Sequence, residues 1–188
     1  MTADWTDAWA PLVAAVGSEA KTGEPIAGAD PVELGSLRRF CEPLEFDCPL
    51  HFDEETAKAH GYPGVIAPYA SYMTYAISPL WSPGDEPIFV DEERDSQPRG
   101  SAIRPPATGF EPPYSGFFAT DFEIEFTAPV LVGDRLARAG TRLVECTLKE
   151  TSVGRGAFTT WERRYENQRG EPVALVRIGM YLYDPHEQ

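Results

Sequence analysis

The chain has 188 residues, of which 42% are hydrophobic and 12% aromatic, and this is enough to build the core of one domain. Its formal net charge of -14 and pI near 4.6 repel polyphosphates and anionic surfaces at long range, so neither nucleic acid nor a membrane is the expected partner. Three cysteines without a CxxC pair predict no disulfide framework and no zinc site. We therefore expect a cytoplasmic protein without a metal.

Residues 1–30 predict an N-terminal helical extension. Trp9, Val13 and Val16 recur at helical spacing. The stretch has acidic residues where a signal peptide would be basic, and Pro11 interrupts its apolar run, so no signal peptide is predicted. An extended segment follows around Ile26.

Three more helices are predicted before the middle of the chain. The first covers residues 37–44 with Ser36 as its N-cap, and the second follows Asp53, whose carboxylate suits an N-cap. The third covers residues 67–80 and is apolar on nearly every face. A helix of that kind is normally buried, so we expect a sheet to wrap around it.

The second half of the chain alternates β-branched or aromatic residues with polar ones, which predicts strands. Between helix and strands, residues 82–116 form a loop insertion rich in proline and glycine. The order of helices followed by strands predicts a single α+β domain over residues 1–188. The predicted strands cover residues 117–126, 135–145, 156–167 and 172–183.

Two segments resemble one known family. The sequence RRFCEPLEFDCPLHFDEETAKAHGYPGVIAP resembles the start of the MaoC-like dehydratases and (R)-specific enoyl-thioester hydratases, and FEIEFTAPVLVGDRLARAGTRLVE resembles that family's aromatic-x-x-Pro-Val-x-x-Gly-Asp strand. The resemblance implies a hotdog fold, in which an antiparallel sheet wraps a long central helix, and pairing of that domain with a second hotdog. The form GYPGVIAP resembles the N-terminal or partner subunits of two-part dehydratases.

The resemblance also implies an activity, the reversible addition of water to an α,β-unsaturated acyl thioester. One group must activate water and another must protonate the α-carbon. His51 occupies the position of the family's catalytic histidine. The partner acid's position holds Phe46, so Asp47, one residue later, is the candidate carboxylate, and Cys48 replaces the family's asparagine as a candidate binding residue.

The family's oxyanion donor is also replaced. Pro68 and Tyr69 stand where typical members have His-Gly, whose glycine N–H polarises the thioester carbonyl. We expect the N–H groups of Tyr69 and Ala70, at a helix start, to bind the developing oxyanion. Four arginines are weaker candidates for a coenzyme A phosphate, namely Arg99, Arg104, Arg135 and Arg138.

Three functions remain open. The first is an enoyl-thioester hydratase or dehydratase, either as a homodimer or as a heterodimer with a second hotdog. The second is a catalytically degenerate partner subunit that shapes the acyl pocket of a heterodimer. The third is a hotdog thioesterase. In each case the expected ligand is an acyl-CoA or acyl-carrier-protein thioester, with CoA or phosphopantetheine present only as part of the substrate and no other cofactor.

Overall fold

The structure is a computed structural model that describes residues 4–20, 25–90, 92, 95, 96, 98 and 109–186. Its helices precede its long strands, and every strand pairing is antiparallel, which confirms the predicted α+β class. Single 3-10 turns at Glu42–Leu44, Pro49–His51 and Tyr69–Ser71 supplement the helices. The helices are α1 Trp5–Ala14, α2 Leu34–Cys41, α3 Glu54–Ala59 and α4 Tyr72–Ala76; the strands are β1 Ile26–Ala27, β2 Gly116–Phe126, β3 Ala137–Thr151, β4 Gly154–Glu166 and β5 Pro172–Pro185.

Two helices begin at aspartate caps. At α1, the Asp4 carboxylate accepts a hydrogen bond from the Thr6 N–H at 3.2 Å. At α3, Asp53 accepts from both the N–H and the hydroxyl of Thr56, and these bonds lower the pKa of Asp53. The predicted Asp53 cap is confirmed.

The predicted cap of α2 is wrong. The helix begins at Leu34 and its N-cap position is Glu33. Ser36 lies inside the first turn, and its hydroxyl donates to the Glu33 carbonyl at 2.7 Å instead of accepting an N–H. A serine near a helix start can satisfy either kind of backbone group, so the residue type alone did not fix the boundary.

The central helix, defined as the turn Tyr69–Ser71 continued by α4, is shorter than the predicted 67–80. It ends because Ile77 is extended and because Pro79 disfavours helical geometry at the residue before it. The Ile77 carbonyl accepts from Ala29 N at 2.9 Å, so the backbone after the helix pairs with the segment that follows β1. That segment approaches closely, since a Cβ on Gly28 would lie 2.0 Å from the Tyr75 carbonyl oxygen.

The five strands form one sheet in the order β1-β3-β4-β5-β2. The four predicted strands are confirmed, and β3 continues to Thr151, six residues beyond the prediction. Ile26 of the predicted extended segment lies in β1 and pairs with Arg138 of β3. Strand β2 is an edge strand that pairs with β5 alone among the described residues.

The sheet has two faces of different composition. We call the face that carries Leu143, Trp161 and Ile178 the inner face, because these cross-strand neighbours belong to the buried core with the central helix. Tyr72 of that helix packs edge-on against Tyr165 of β4, with ring centroids 5.2 Å apart. The outer face carries Arg142, Glu162 and Arg177, cross-strand neighbours shifted by one residue.

The N-terminal extension is part of this packing. Trp9 and Leu12 of α1 are buried in the core, and β1 adds a short strand to the sheet. Of the predicted 82–116 loop, the described positions before Gly116 contain no helix or strand, and residues 99–108 lie outside the described part. No helix in the described ranges is long and apolar enough to cross a membrane.

Candidate functional site

The two motifs that carry the family resemblance both hydrogen-bond to one short segment, residues 66–67, just before the central helix. Ile66 N donates to the Leu50 carbonyl at 3.2 Å, and His51 is hydrogen-bonded through Nδ1 to the Ile66 carbonyl at 2.8 Å. On the other side, Ala67 N donates to the Val130 carbonyl at 2.7 Å. His51 and Ala67, 16 positions apart in sequence, thus belong to one region at the start of the central helix.

The Pro-Val-x-x-Gly-Asp motif has a structural role in this region. Asp134 is 2% exposed, its carboxylate accepts from Leu131 N at 2.9 Å, and it forms an ion pair with Arg169 at 3.3 Å. Gly133 precedes it with a φ of +91°, a value that favours glycine. This tight turn lies in the connection between β2 and β3, just after Val130, whose carbonyl accepts the hydrogen bond from Ala67.

His51 is 7% exposed and lies in the turn Pro49–His51. Because a carbonyl oxygen only accepts hydrogen bonds, Nδ1 donates to Ile66 and Nε2 of the neutral imidazole remains an acceptor. No hydrogen bond joins Nε2 to another described residue. The imidazole is therefore fixed in orientation, and one nitrogen is available to a ligand.

The ring of Phe46 packs against the imidazole of His51. Glu45 has a φ of +49° and ends the turn after α2, and the Phe46 N–H donates to the Cys41 carbonyl at 3.1 Å. The Phe46 ring then stacks on His51, with centroids 5.5 Å apart and planes 19° apart. An apolar ring in this position cannot exchange a proton.

The side chain of Asp47 makes no hydrogen bond with His51. Its side chain is exposed and lines an open surface depression with Cys41, Phe46 and Phe52. Neither a hydrogen bond nor an ion pair connects Asp47 to any described residue. The structure thus brings His51 to the central helix but leaves the candidate carboxylate on the surface.

The remaining candidates lie at the edges of this region. Cys48 is partly buried and its side chain makes no capping bond. Tyr69 and Ala70 are exposed at the first positions of the central helix, where N–H groups have no intrahelical acceptor, and neither donates to a residue before the helix. The Tyr69 ring packs on Phe126 with centroids 4.5 Å apart.

The arginine candidates have different surroundings. Arg135 donates to the carbonyls of Gly28 and Ala29, which makes it a brace for the segment after β1. Arg99 and Arg104 lie outside the described residues. Arg138 is partly buried beside Arg163, a residue that the sequence analysis did not consider. Among the described residues, no three His, Cys, Asp or Glu side chains form a cluster able to hold a metal ion.

Known proteins of similar fold place this architecture in a class. The chain superposes on a chain of the ChsH1-ChsH2 complex from Mycobacterium tuberculosis with a TM-score of 0.64, 21% identity and 96% of each chain covered. It superposes on the MaoC-like dehydratase from Rhodospirillum rubrum with a TM-score of 0.53, 19% identity and 88% and 94% of the two chains covered. The protein therefore has the hotdog fold of these structures.

Sequence comparison narrows the class. The profile described as "FAS1-like, dehydratase domain region" matches residues 20–176. The chain is 32% identical over 163 residues to a protein of Thermomonospora curvata named "Probable enoyl-CoA hydratase alpha subunit", which covers 87% of this chain and 48% of that protein. The chain therefore spans about half the length of this relative. The chain belongs to the FAS1-like dehydratase family, a family of hydratases and dehydratases with the hotdog fold.

Proposed function

We propose that this chain is the pocket-forming subunit of a two-hotdog enzyme that hydrates or dehydrates an α,β-unsaturated acyl thioester, with the acid and base supplied by the partner subunit. The stacking of Phe46 on His51 carries this proposal. Acid–base catalysis needs two groups within reach of the substrate. Here one position holds an apolar ring, and Asp47 is exposed and makes no hydrogen bond with the imidazole.

The contribution of this chain would be binding. The free N–H groups of Tyr69 and Ala70 are suited to a thioester carbonyl, because the start of a helix favours developing negative charge. The thiol of Cys48 and the imidazole of His51 would border the same end of the pocket. The ligand is an acyl-CoA or an acyl-carrier-protein thioester, and no further cofactor is required.

We place the acyl chain on the inner face beside β2, where aromatic side chains remain exposed. The central helix has eight residues, three in its 3-10 turn and five in α4, and spans about 13 Å. From Phe117 to Phe126, β2 extends about 30 Å. Phe117 and Phe122 of this strand are each 48% exposed, although they pair with the buried residues Leu182 and Ile178. The helix is thus too short to cover the whole inner face.

The edge of β2 is suited to a second hotdog. The strand has 11 residues and hydrogen-bonds to β5 on one side alone among the described residues. A long edge strand with exposed aromatic residues is a template for pairing with another strand. The similar chain in the ChsH1-ChsH2 structure is part of a complex. These features support a heterodimer, in which the second hotdog differs from this chain and carries the acid and base.

One observation favours a second candidate, a self-sufficient hydratase. Donation from Nδ1 to Ile66 leaves Nε2 of His51 as the acceptor that a general base requires. In this candidate Asp47 would have to reach the site when substrate binds. No observation in the described residues favours the thioesterase.

The test compares the purified chain alone with the chain co-expressed with a hotdog subunit that carries the motif Asp-x-Asn-Pro-x-His. Hydration of crotonyl-CoA and longer trans-2-enoyl-CoA thioesters is measured, and release of free CoA reports thioesterase activity. We expect no turnover by the chain alone and turnover by the complex. His51→Ala in the complex should lower kcat by less than about tenfold, because the proton transfers would occur on the partner.

The matched control is His60→Ala, which removes an exposed histidine bonded to the Thr56 carbonyl at 2.8 Å. Turnover by the chain alone that His51→Ala abolishes and His60→Ala spares would replace our proposal with the self-sufficient hydratase. Release of CoA without hydration would replace both with the thioesterase.

A further inference from the structure

A second polar region lies between the central helix and the inner face of the sheet. Four buried side-chain atoms there have no hydrogen-bond partner among the described residues, namely Tyr72 Oη, Arg138 Nε, Thr141 Oγ1 and Arg163 Nε. Leaving a buried donor unpaired is unfavourable by about 1–3 kcal/mol for each group. Four such atoms in one place indicate that something other than these residues satisfies them.

The register of the sheet brings these side chains together. Arg163 of β4 lies directly opposite Thr141 of β3, and Arg138 lies directly opposite Tyr165. Arg163 and Tyr165 are two residues apart on one strand and therefore share the inner face. Tyr72 packs edge-on against Tyr165 from the central helix. Two guanidinium groups and two hydroxyls thus face one region of the interior.

The two guanidinium groups lack a compensating acid. Arg163 is 7% exposed, and neither it nor Arg138 forms an ion pair with any described residue. Burial lowers the pKa of Arg138, and the like charge of Arg163 lowers it further. The chain has 30 acidic residues, yet none of those described forms an ion pair with either arginine. Two adjacent cations, Arg163 buried and Arg138 partly buried, are unfavourable without an anion to pair with.

The geometry points to a binding site for a small oxyanion, a carboxylate or a phosphate, held by Arg138 and Arg163 with the hydroxyls of Thr141 and Tyr72. Guanidinium groups bind such anions through charge-assisted hydrogen bonds, and the hydroxyls can donate one bond each. Arg138 is partly exposed and lies opposite Ile26 at the edge of the sheet, so the anion enters from that side. The site is separate from His51 and goes beyond the proposed function.

The test uses the purified full chain and two probes, sodium acetate and sodium phosphate, at constant ionic strength set with sodium chloride. Thermal unfolding and titration calorimetry are measured up to about 20 mM probe. We expect saturable binding of at least one probe and a Tm increase of about 5 °C at saturation. Saturation by acetate identifies a carboxylate site, and saturation by phosphate identifies a phosphate site.

Variants connect the effect to the site. Arg163→Met should abolish binding and, without probe, should give a Tm equal to or above that of the wild type, because it removes an unpaired buried charge. Thr141→Val, which removes one hydroxyl and keeps the shape, should weaken binding about tenfold. The matched control is Arg164→Met, since Arg164 is the next residue on β4 but pairs with Glu19 at 2.9 Å. It should bind the probe like the wild type.

Two results would overturn the inference. One is the absence of saturable binding for both probes in the wild-type chain. The other is an equal Tm increase in the wild type, Arg163→Met and Arg164→Met, which would indicate a general salt effect. If Arg163→Met does not fold, Arg138→Met serves instead, because Arg138 lies at the partly exposed end of the pair.

Discussion

The two faces of β4 differ in whether their charged residues are paired. On the outer face, Glu162 accepts hydrogen bonds from Arg142 at 2.7 Å and from Arg177 at 3.3 Å, so its charge is shared by two cations. On the inner face, Arg163, the very next residue, has no acidic partner among the described residues. The presence of an arginine in a strand therefore does not by itself indicate the function of that residue. The face of the sheet on which the arginine lies decides whether its charge is paired.

Core packing shows the same division between the faces. Trp161 on the inner face is 1% exposed, and its indole donates to the Thr159 hydroxyl at 3.1 Å. Phe158 on the outer face is partly buried and stacks on Tyr181, with centroids 4.3 Å apart. The inner face contributes most of the apolar core, whereas the outer face combines aromatic stacking with ion pairs.

The largest effect should come from aromatic truncation on the two faces. We expect Trp161→Ala to reduce the free energy of unfolding by about 4 kcal/mol and Phe158→Ala by about 2 kcal/mol, because the first leaves a fully enclosed cavity. Urea unfolding monitored by circular dichroism measures both. Equal losses would contradict the assignment of the core to the inner face.

An intermediate effect is expected from the outer-face charges. Glu162→Ala leaves Arg142 and Arg177 without their shared carboxylate and should reduce the free energy of unfolding by about 2 kcal/mol, less than for a fully buried pair because both arginines are nearly half exposed. The control Glu19→Ala breaks the exposed ion pair with Arg164 and should change the free energy of unfolding by under about 1 kcal/mol. The same urea titration distinguishes the two, and similar losses would show that Glu162 is not a special acceptor.

The smallest effect on stability concerns an inner-face thiol. Burial raises the pKa of Cys146 to about 11 from 9.0. At pH 8 its thiolate fraction should therefore be about 100-fold below that of an ordinary thiol, and its reaction with a disulfide reagent correspondingly slow. The native state keeps this proton while the unfolded state loses it above pH 9, so the thiol's contribution to stability should decline as the pH rises from about 9 to about 11.

Comparison with Cys146→Ala isolates this thiol from Cys41, whose pKa burial also raises. The substitution should reduce the amplitude of the slow phase of the reaction with the disulfide reagent by one thiol per chain. Rapid labelling of Cys146 at pH 8 would mean that this part of the inner face opens to solvent.

The sequence predicted the sheet well because each strand carries its own alternation of apolar and polar residues. The pattern of Trp161, Arg163 and Tyr165 also contained the signal for the buried arginine, since one cation falls within an otherwise apolar stripe. The central helix was predicted too long, because its apolar residues continue past Ala76 while Pro79 and the pairing of Ile77 stop the helix. A pattern of apolar residues does not report such backbone constraints.

The site was predictable in part. The resemblance indicated His51 and the helix start, and hydrogen bonds through Ile66 link the two. Where the side chain of Asp47 would point depends on the left-handed conformation at Glu45 and on the stacking of Phe46. Both are products of the folded turn, so sequence spacing could not supply them, and the role of Asp47 stays a prediction.

The uncovered edge of β2 also bears on how the chain can be produced. Among the described residues, no strand pairs with the outer side of these 11 residues, and three of their phenylalanines are each more than 40% exposed, at Phe117, Phe118 and Phe122. A copy synthesised without a strand to cover this edge is open to pairing with whatever nascent or damaged chain it meets. In the proposed heterodimer the partner subunit supplies the covering strand, and we expect the ratio at which the two subunits are expressed to set the yield of protein that stays in solution.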